Sequence, residues 1–127
     1  MNNTLLWIDD ERQVPEGFTH WAKTSQQAID ILSAHRPEEG VIALICFDHD
    51  LGYDPTDGHP SLEGDNPTYD DTRRVVEWMV EHNVWPEMAI VHSHNPIGAT
   101  WLENVLRIEG PQNMTVVRQA YTERMFS

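Results

Sequence analysis

The chain holds one lysine and one cysteine, few basic residues and no long apolar run, and each shortage narrows what it can be. Against 21 Asp and Glu stand only 8 Lys and Arg, leaving a formal charge of -13 over 127 residues. Proteins that grip duplex nucleic acid supply cations to its phosphates, so this balance argues against a duplex partner. The lone Cys46 allows no disulfide framework within one chain, and its place inside an apolar strand marks a buried structural thiol. No stretch approaches the roughly 20 apolar residues of a membrane-spanning helix, so no membrane partner is expected. Met1-Asn2-Asn3-Thr4 carries no basic segment leading into an apolar run. No secretory leader is therefore expected, and the expected location is cytoplasmic.

What is present suits a folded globule. A hydrophobic fraction of 39% and five Trp can build one core, and the length suits a single domain over residues 1–127. The acidic excess reads plainly as a soluble surface. It also has two sharper readings: a carboxylate-rich metal site, or a surface that imitates nucleic acid towards a basic protein partner.

Apolar runs and turn signals alternate along the chain. Leu5-Leu6-Trp7-Ile8 predicts a short buried strand, and Phe18 to Thr24 a second, joined by a loop containing Arg12, Pro15 and Gly17. Thr24 and Gln27 form a capping box that opens a helix to about His35. Val41 to Phe47 is apolar enough to be a central strand buried on both faces. From Gly52 to Tyr69 no periodic pattern emerges, which predicts a long acidic loop. Thr68 and Asp71 predict a second capping box, before an amphipathic helix that ends near Asn83. Met88 to Val91 predicts a strand. Asn95 and Pro96 then start a helix with Ile97, Trp101, Leu102, Val105, Leu106 and Ile108 on one face. Met114 to Val117 is the last strand. The alternation argues a parallel sheet with helices on both faces.

Chemistry-bearing residues gather where strands end. Asp9-Asp10-Glu11 follows the first strand, and Asp48-His49-Asp50-Leu51-Gly52 follows the central one. In open α/β sheets ligands bind beyond the carboxyl ends of the strands. Acidic ends meeting there repel unless a cation, a shared proton or a positive ligand group offsets the charge.

An acidic pair after the first strand, Asp48 after the central one and a hydroxyl after the next resemble the response-regulator receiver domain. On that resemblance Asp9 and Asp10 bind magnesium, Asp48 accepts a phosphoryl group and Ser93 contacts it. Receivers also keep a lysine at the end of the last strand, where this chain has Arg118 and Gln119; its own lysine, Lys23, follows the second strand. A closer resemblance is to the cyclic-phosphate processing receiver domains, through Leu6-Trp7-Ile8-Asp9-Asp10-Glu11-Arg12, Asp48-His49-Asp50-Leu51-Gly52 and His92-Ser93-His94-Asn95-Pro96-Ile97-Gly98. It covers nearly the whole chain. It implies a receiver/flavodoxin-like three-layer α/β sandwich, with a five-stranded, mostly parallel sheet in the order 2-1-3-4-5. The first crossover helix is expected to be missing or reduced. The implied activity is hydrolysis or processing of a cyclic phosphate on a nucleotide or RNA end.

Opening a phosphodiester needs charge neutralisation at the phosphoryl oxygens, an activated water and a proton for the leaving oxygen. Asp9, Asp10, Asp48 and then Asp50 are the oxygen ligands expected to hold Mg²⁺ or Mn²⁺. His92 and His49 suit general acid or base work, with Ser93 beside them. His94 reads as structural. The helix start at Asn95, together with Gly98, offers amides to a phosphate, and Arg12 can clamp one bidentately. Two other functions fit the same residues: a non-catalytic receiver-like module that binds phosphate or nucleotide, and an acidic inhibitor that mimics nucleic acid.

Overall fold

The apolar runs become the strands of one parallel sheet in the computed structural model, which describes residues 3–10, 14–48, 50–53, 69–92 and 96–119. Its strands are β1 (Thr4–Ile8), β2 (His20–Ala22), β3 (Ile42–Phe47), β6 (Met88–Val91) and β7 (Thr115–Arg118), in the order β2-β1-β3-β6-β7. All neighbours pair in parallel. This is the expected 2-1-3-4-5 order of a receiver/flavodoxin-like sheet. Three helices connect it: α1 (Ser25–Ala34), α2 (Arg73–His82) and α3 (Pro96–Glu109).

All three helices lie on one face. Ala28 and Leu32 of α1, Val75, Val76 and Met79 of α2, and Ala99, Leu102 and Leu106 of α3 share a cluster with Leu6, Ile8, Ile45, Phe47, Ala89 and Val91. Residues alternating with these, Trp7, Cys46 and Ile90, face the other way, where Val14, Phe18 and Trp21 pack on them. Crossover handedness explains the asymmetry. The steps β2 to β3, β3 to β6 and β6 to β7 all move the same way across the sheet, so right-handed crossovers put their helices on the same side. Only β1 to β2 moves the other way, and its connection holds no helix among the described residues. The second helical layer of the expected sandwich is therefore not built by the described part of the chain. The reduced first crossover is as expected.

Thr24 caps α1 as its sequence predicts: its hydroxyl accepts from Gln27 N at 3.0 Å, and Gln27 Oε1 accepts from Lys23 N at 2.7 Å. Asn83 ends α2 in the left-handed region at φ 54°, its amide bonding back to Met79 O and Val80 O. Three expectations need correction. The patternless stretch from Gly52 begins and ends in a small antiparallel hairpin of β4 (Asp50–Tyr53) and β5 (Tyr69–Asp71), with residues 54–68 outside the described set. Asp71 is thus a strand residue, and its carboxylate accepts from Arg73 N at 2.9 Å, where a capping box with Thr68 was expected. Ile97 and Ile108 are 84% and 76% exposed, because Ala99, Leu102 and Leu106 already seat α3 on the sheet.

Candidate metal centre

A ladder of main-chain bonds fixes the functional rim. Asp9, Asp48, His92 and Gln119 each follow the last residue of a strand, and each amide still donates to the last carbonyl of a neighbouring strand. The bonds are Asp9 N to Ala22 O at 3.1 Å, Asp48 N to Ile8 O at 3.0 Å, His92 N to Phe47 O at 2.9 Å and Gln119 N to Val91 O at 2.8 Å. Strand alternation then sets direction. Asp9, Asp48 and His92 continue the face of Trp7, Cys46 and Ile90, so they converge on the side of the rim that carries no helix among the described residues.

The convergence is tight. Asp9, Asp10 and Asp48 each offer an oxygen, and these oxygens all lie within 4.8 Å of one another. Asp9 is 0% and Asp48 7% exposed, and Asp10 is half-buried. His92, itself 0% exposed, places Nε2 3.2 Å from Asp9 Oδ2. Its ring stacks on the Trp7 indole at 4.4 Å with 7° between planes, and Phe18 meets Trp7 edge-on at 5.3 Å. From β2, Trp21 Nε1 donates to the Asp9 carbonyl at 2.8 Å. The Asp9 main chain is thus tied on one side and its side chain on the other.

This donor set fits a hard divalent cation. Buried carboxylates at such spacing repel, and a cation shared between them would offset that repulsion.

Several of the expected residues lie outside the described set. β3 ends at Phe47 and Asp50 opens β4, opposite Asp71, so Asp48 and Asp50 do not lie on one continuous strand. The side chain of Asp50 lies outside the described residues, as do His49, Ser93, His94, Asn95 and Arg12 entirely. Gly98 is buried in the first turn of α3. Arg118, near the place of a receiver's lysine, is committed elsewhere. It donates to Thr100 Oγ1 at 2.8 Å and to Pro96 O at 3.4 Å, and lies 3.8 Å from Glu103, bracing the start of α3.

Sequence reasoning missed the roles of Trp7 and Trp21, read there only as core. The signal for Trp7 was its two-residue offset from Asp9, which puts both on one face of an extended strand. Trp21 carries no such local signal, because its partner lies on the neighbouring strand.

A model of the cyclic-phosphate processing receiver domain matches residues 4–108, a span that includes Asp9, Asp10, Asp48 and His92 but not Arg118 or Gln119. No curated protein and no solved structure matches the chain. No helix among the described residues is long and apolar enough to cross a membrane.

Proposed function

This chain belongs to the cyclic-phosphate processing receiver domain family, and from that premise we propose that it is a divalent-metal-dependent phosphoesterase acting on a cyclic phosphate of a nucleotide or RNA end. The observation that carries the reading is the meeting of Asp9, Asp10 and Asp48 on one rim, with His92 locked against Asp9. Those three carboxylates, with Asp50 as a further ligand, would hold Mg²⁺ or Mn²⁺. When bound, such an ion offsets charge on phosphoryl oxygens and makes a water more acidic.

Opening the cyclic ester forms one P–O bond from water and breaks one to a ribose oxygen. One proton therefore leaves the water and one reaches the departing oxygen. His49 and Ser93, adjacent in the chain to Asp48 and His92, are assigned to moving these protons from their place in the motifs. Asn95, Gly98 and Arg12 are assigned to the phosphate oxygens. His92 works differently. Its full burial keeps it off the substrate, and its bond to Asp9 Oδ2 fixes that carboxylate's rotamer, so it is a positioning residue.

The test is turnover of 2′,3′-cyclic nucleotides with Mn²⁺ or Mg²⁺. Wild type is expected to release a ring-opened phosphomonoester, and Asp48→Asn to lose at least about a hundredfold in rate. Wild-type turnover no greater than that of the Asp48→Asn control, across a panel of the four bases, refutes it. The burial of His92 also favours a second reading, a module that binds phosphate or nucleotide without turning it over. Calorimetry showing uptake with no product would establish that one.

A further inference from the structure

Two carboxylates on successive residues pose a geometric problem. Along an extended strand consecutive side chains point to opposite faces, so Asp9 and Asp10 should diverge. Yet an oxygen of each lies within 4.8 Å of the other's and of one from Asp48. The chain resolves this by leaving the strand. β1 ends at Ile8, Asp9 N still donates to Ala22 O, and the backbone bends at Asp10. The two carboxylates are thus joined through one planar peptide, and the orientation of that plane sets the angle between them.

That peptide is held by its oxygen. In a continuing ladder the Asp9 carbonyl would accept from the next residues of β2. β2 ends at Ala22, however, and the Lys23 amide turns to Gln27 Oε1 at 2.7 Å as α1 begins. A donor comes instead from the indole of Trp21, whose Nε1 lies 2.8 Å from Asp9 O. Trp21 pairs with Trp7 across β1 and β2, so its ring rises from the face on which Asp9 lies and reaches diagonally along the strands to that carbonyl. The ring is itself restrained. It is half-buried against the cluster of Trp7, Cys46 and Ile90, and the Lys23 ammonium lies 4.5 Å from its centre. An indole so placed has little freedom to follow the carbonyl, and the carbonyl must follow it.

Restraint of this kind matters more to some ions than to others. Mg²⁺ demands near-ideal octahedral geometry and Ca²⁺ accepts irregular shells of more oxygens. A fixed peptide between two ligands favours the ion that needs fixed angles.

Resting on the shared cation of the phosphoesterase reading above, we infer that Trp21 is a positioning residue of the metal centre: by holding the Asp9–Asp10 peptide it turns two successive carboxylates towards one ion and sets the preference of the site for Mg²⁺ over Ca²⁺. It acts through Asp9 and Asp10 and needs no contact with ion or substrate.

The experiment follows Mn²⁺ binding to the metal-free full chain by loss of the free-ion EPR signal, with Mg²⁺ and Ca²⁺ as competitors. Wild type, Trp21→Phe, Trp21→His and Thr24→Ala are compared, each first shown by thermal unfolding in chelator to be folded. Trp21→Phe keeps an aromatic ring but loses the N–H. Its Mg²⁺ affinity is expected to fall at least about tenfold, the scale for removing a group that orients a metal ligand, and its Ca²⁺ affinity by less than about threefold. Trp21→His, which returns an N–H to a five-membered ring, recovers most of the loss. Thr24→Ala, which loosens the start of α1 without touching Asp9, leaves all three affinities unchanged. Should Trp21→Phe not fold, the exposed Lys23 gives a second handle. Lys23→Ala frees the ring, its lost charge acts alike on both divalent ions, and the ratio of Mg²⁺ to Ca²⁺ affinity must fall; an unchanged ratio overturns the inference. Trp21→Phe that binds Mg²⁺ as wild type does, or that loses Mg²⁺ and Ca²⁺ equally, also overturns it and leaves the phosphoesterase reading standing. A wild type that takes up no Mn²⁺ removes the shared ion, and with it both ideas.

Discussion

Replacing Asp48 by Asn should stabilise the metal-free protein and destroy its response to metal. Carboxylate oxygens up to 4.8 Å apart repel by about 3.5 kcal/mol per pair at an effective dielectric of about 20. Asp48 takes part in two of the three pairs, so the relief before screening and lost contacts is roughly 7 kcal/mol. The realised value is far smaller. Asp10 is half-buried and screened, His92 offsets part of the Asp9 charge, and Asn must take over the polar contacts that Asp48 makes. A net gain of about 1–3 kcal/mol is expected, which for a domain of this size raises Tm by about 4–12 °C. Thermal unfolding in chelator reads that number. Added Mn²⁺ at about a hundred times its Kd should then stabilise wild type by about 2.7 kcal/mol and the variant by much less, so the order of the two melting curves narrows or inverts. Unfolding of Asp48→Asn in chelator at or below the wild-type temperature, or an undiminished metal response, would refute a shared cation site among these carboxylates.

Two further changes test the frame around the site. Burial pushes the Cys46 thiol well above its ordinary value of 9.0, so the folded state resists forming the thiolate. Because the folded value is the higher one, that contribution to stability is whole below pH 9.0 and drains away above it, by about 1.4 kcal/mol per pH unit. Denaturant titrations at pH 8, 9 and 10 should show this extra decline in wild type and not in Cys46→Ala; parallel declines would contradict it. Thr24→Ala removes the hydroxyl that accepts from Gln27 N and should cost about 1 kcal/mol, read as a lower denaturant midpoint at unchanged m-value. A neutral result would mean that packing alone holds the start of α1.

Much of the fold is legible in short stretches. Strands β1, β3 and β6 are dense apolar runs, the Thr24–Gln27 cap is a contact across three residues, and Asn83 stops α2 in a conformation that asparagine tolerates. Where elements meet over longer distances, legibility fails for identifiable reasons. The β4–β5 hairpin pairs Asp50 with Asp71 across a long insertion with no alternation to announce it. Ile97 and Ile108 carry the same helical periodicity as the core residues of α3, and only the area already taken by Leu102 and Leu106 leaves them outside.

The site divides along the same line. Local chemistry alone marks Asp9, Asp10 and Asp48 as acidic ends of buried strands, and the alternation of elements argues a parallel sheet, whose strand order is what the family resemblance implies. That Asp9 bonds His92, 83 residues away, that Trp7 floors that histidine and that Trp21 ties Asp9 to Lys23 were decided only when four strand ends were set side by side. Alternation along one strand says which way a side chain points. Which neighbour it then meets depends on the order and register of the sheet, and those belong to the whole chain.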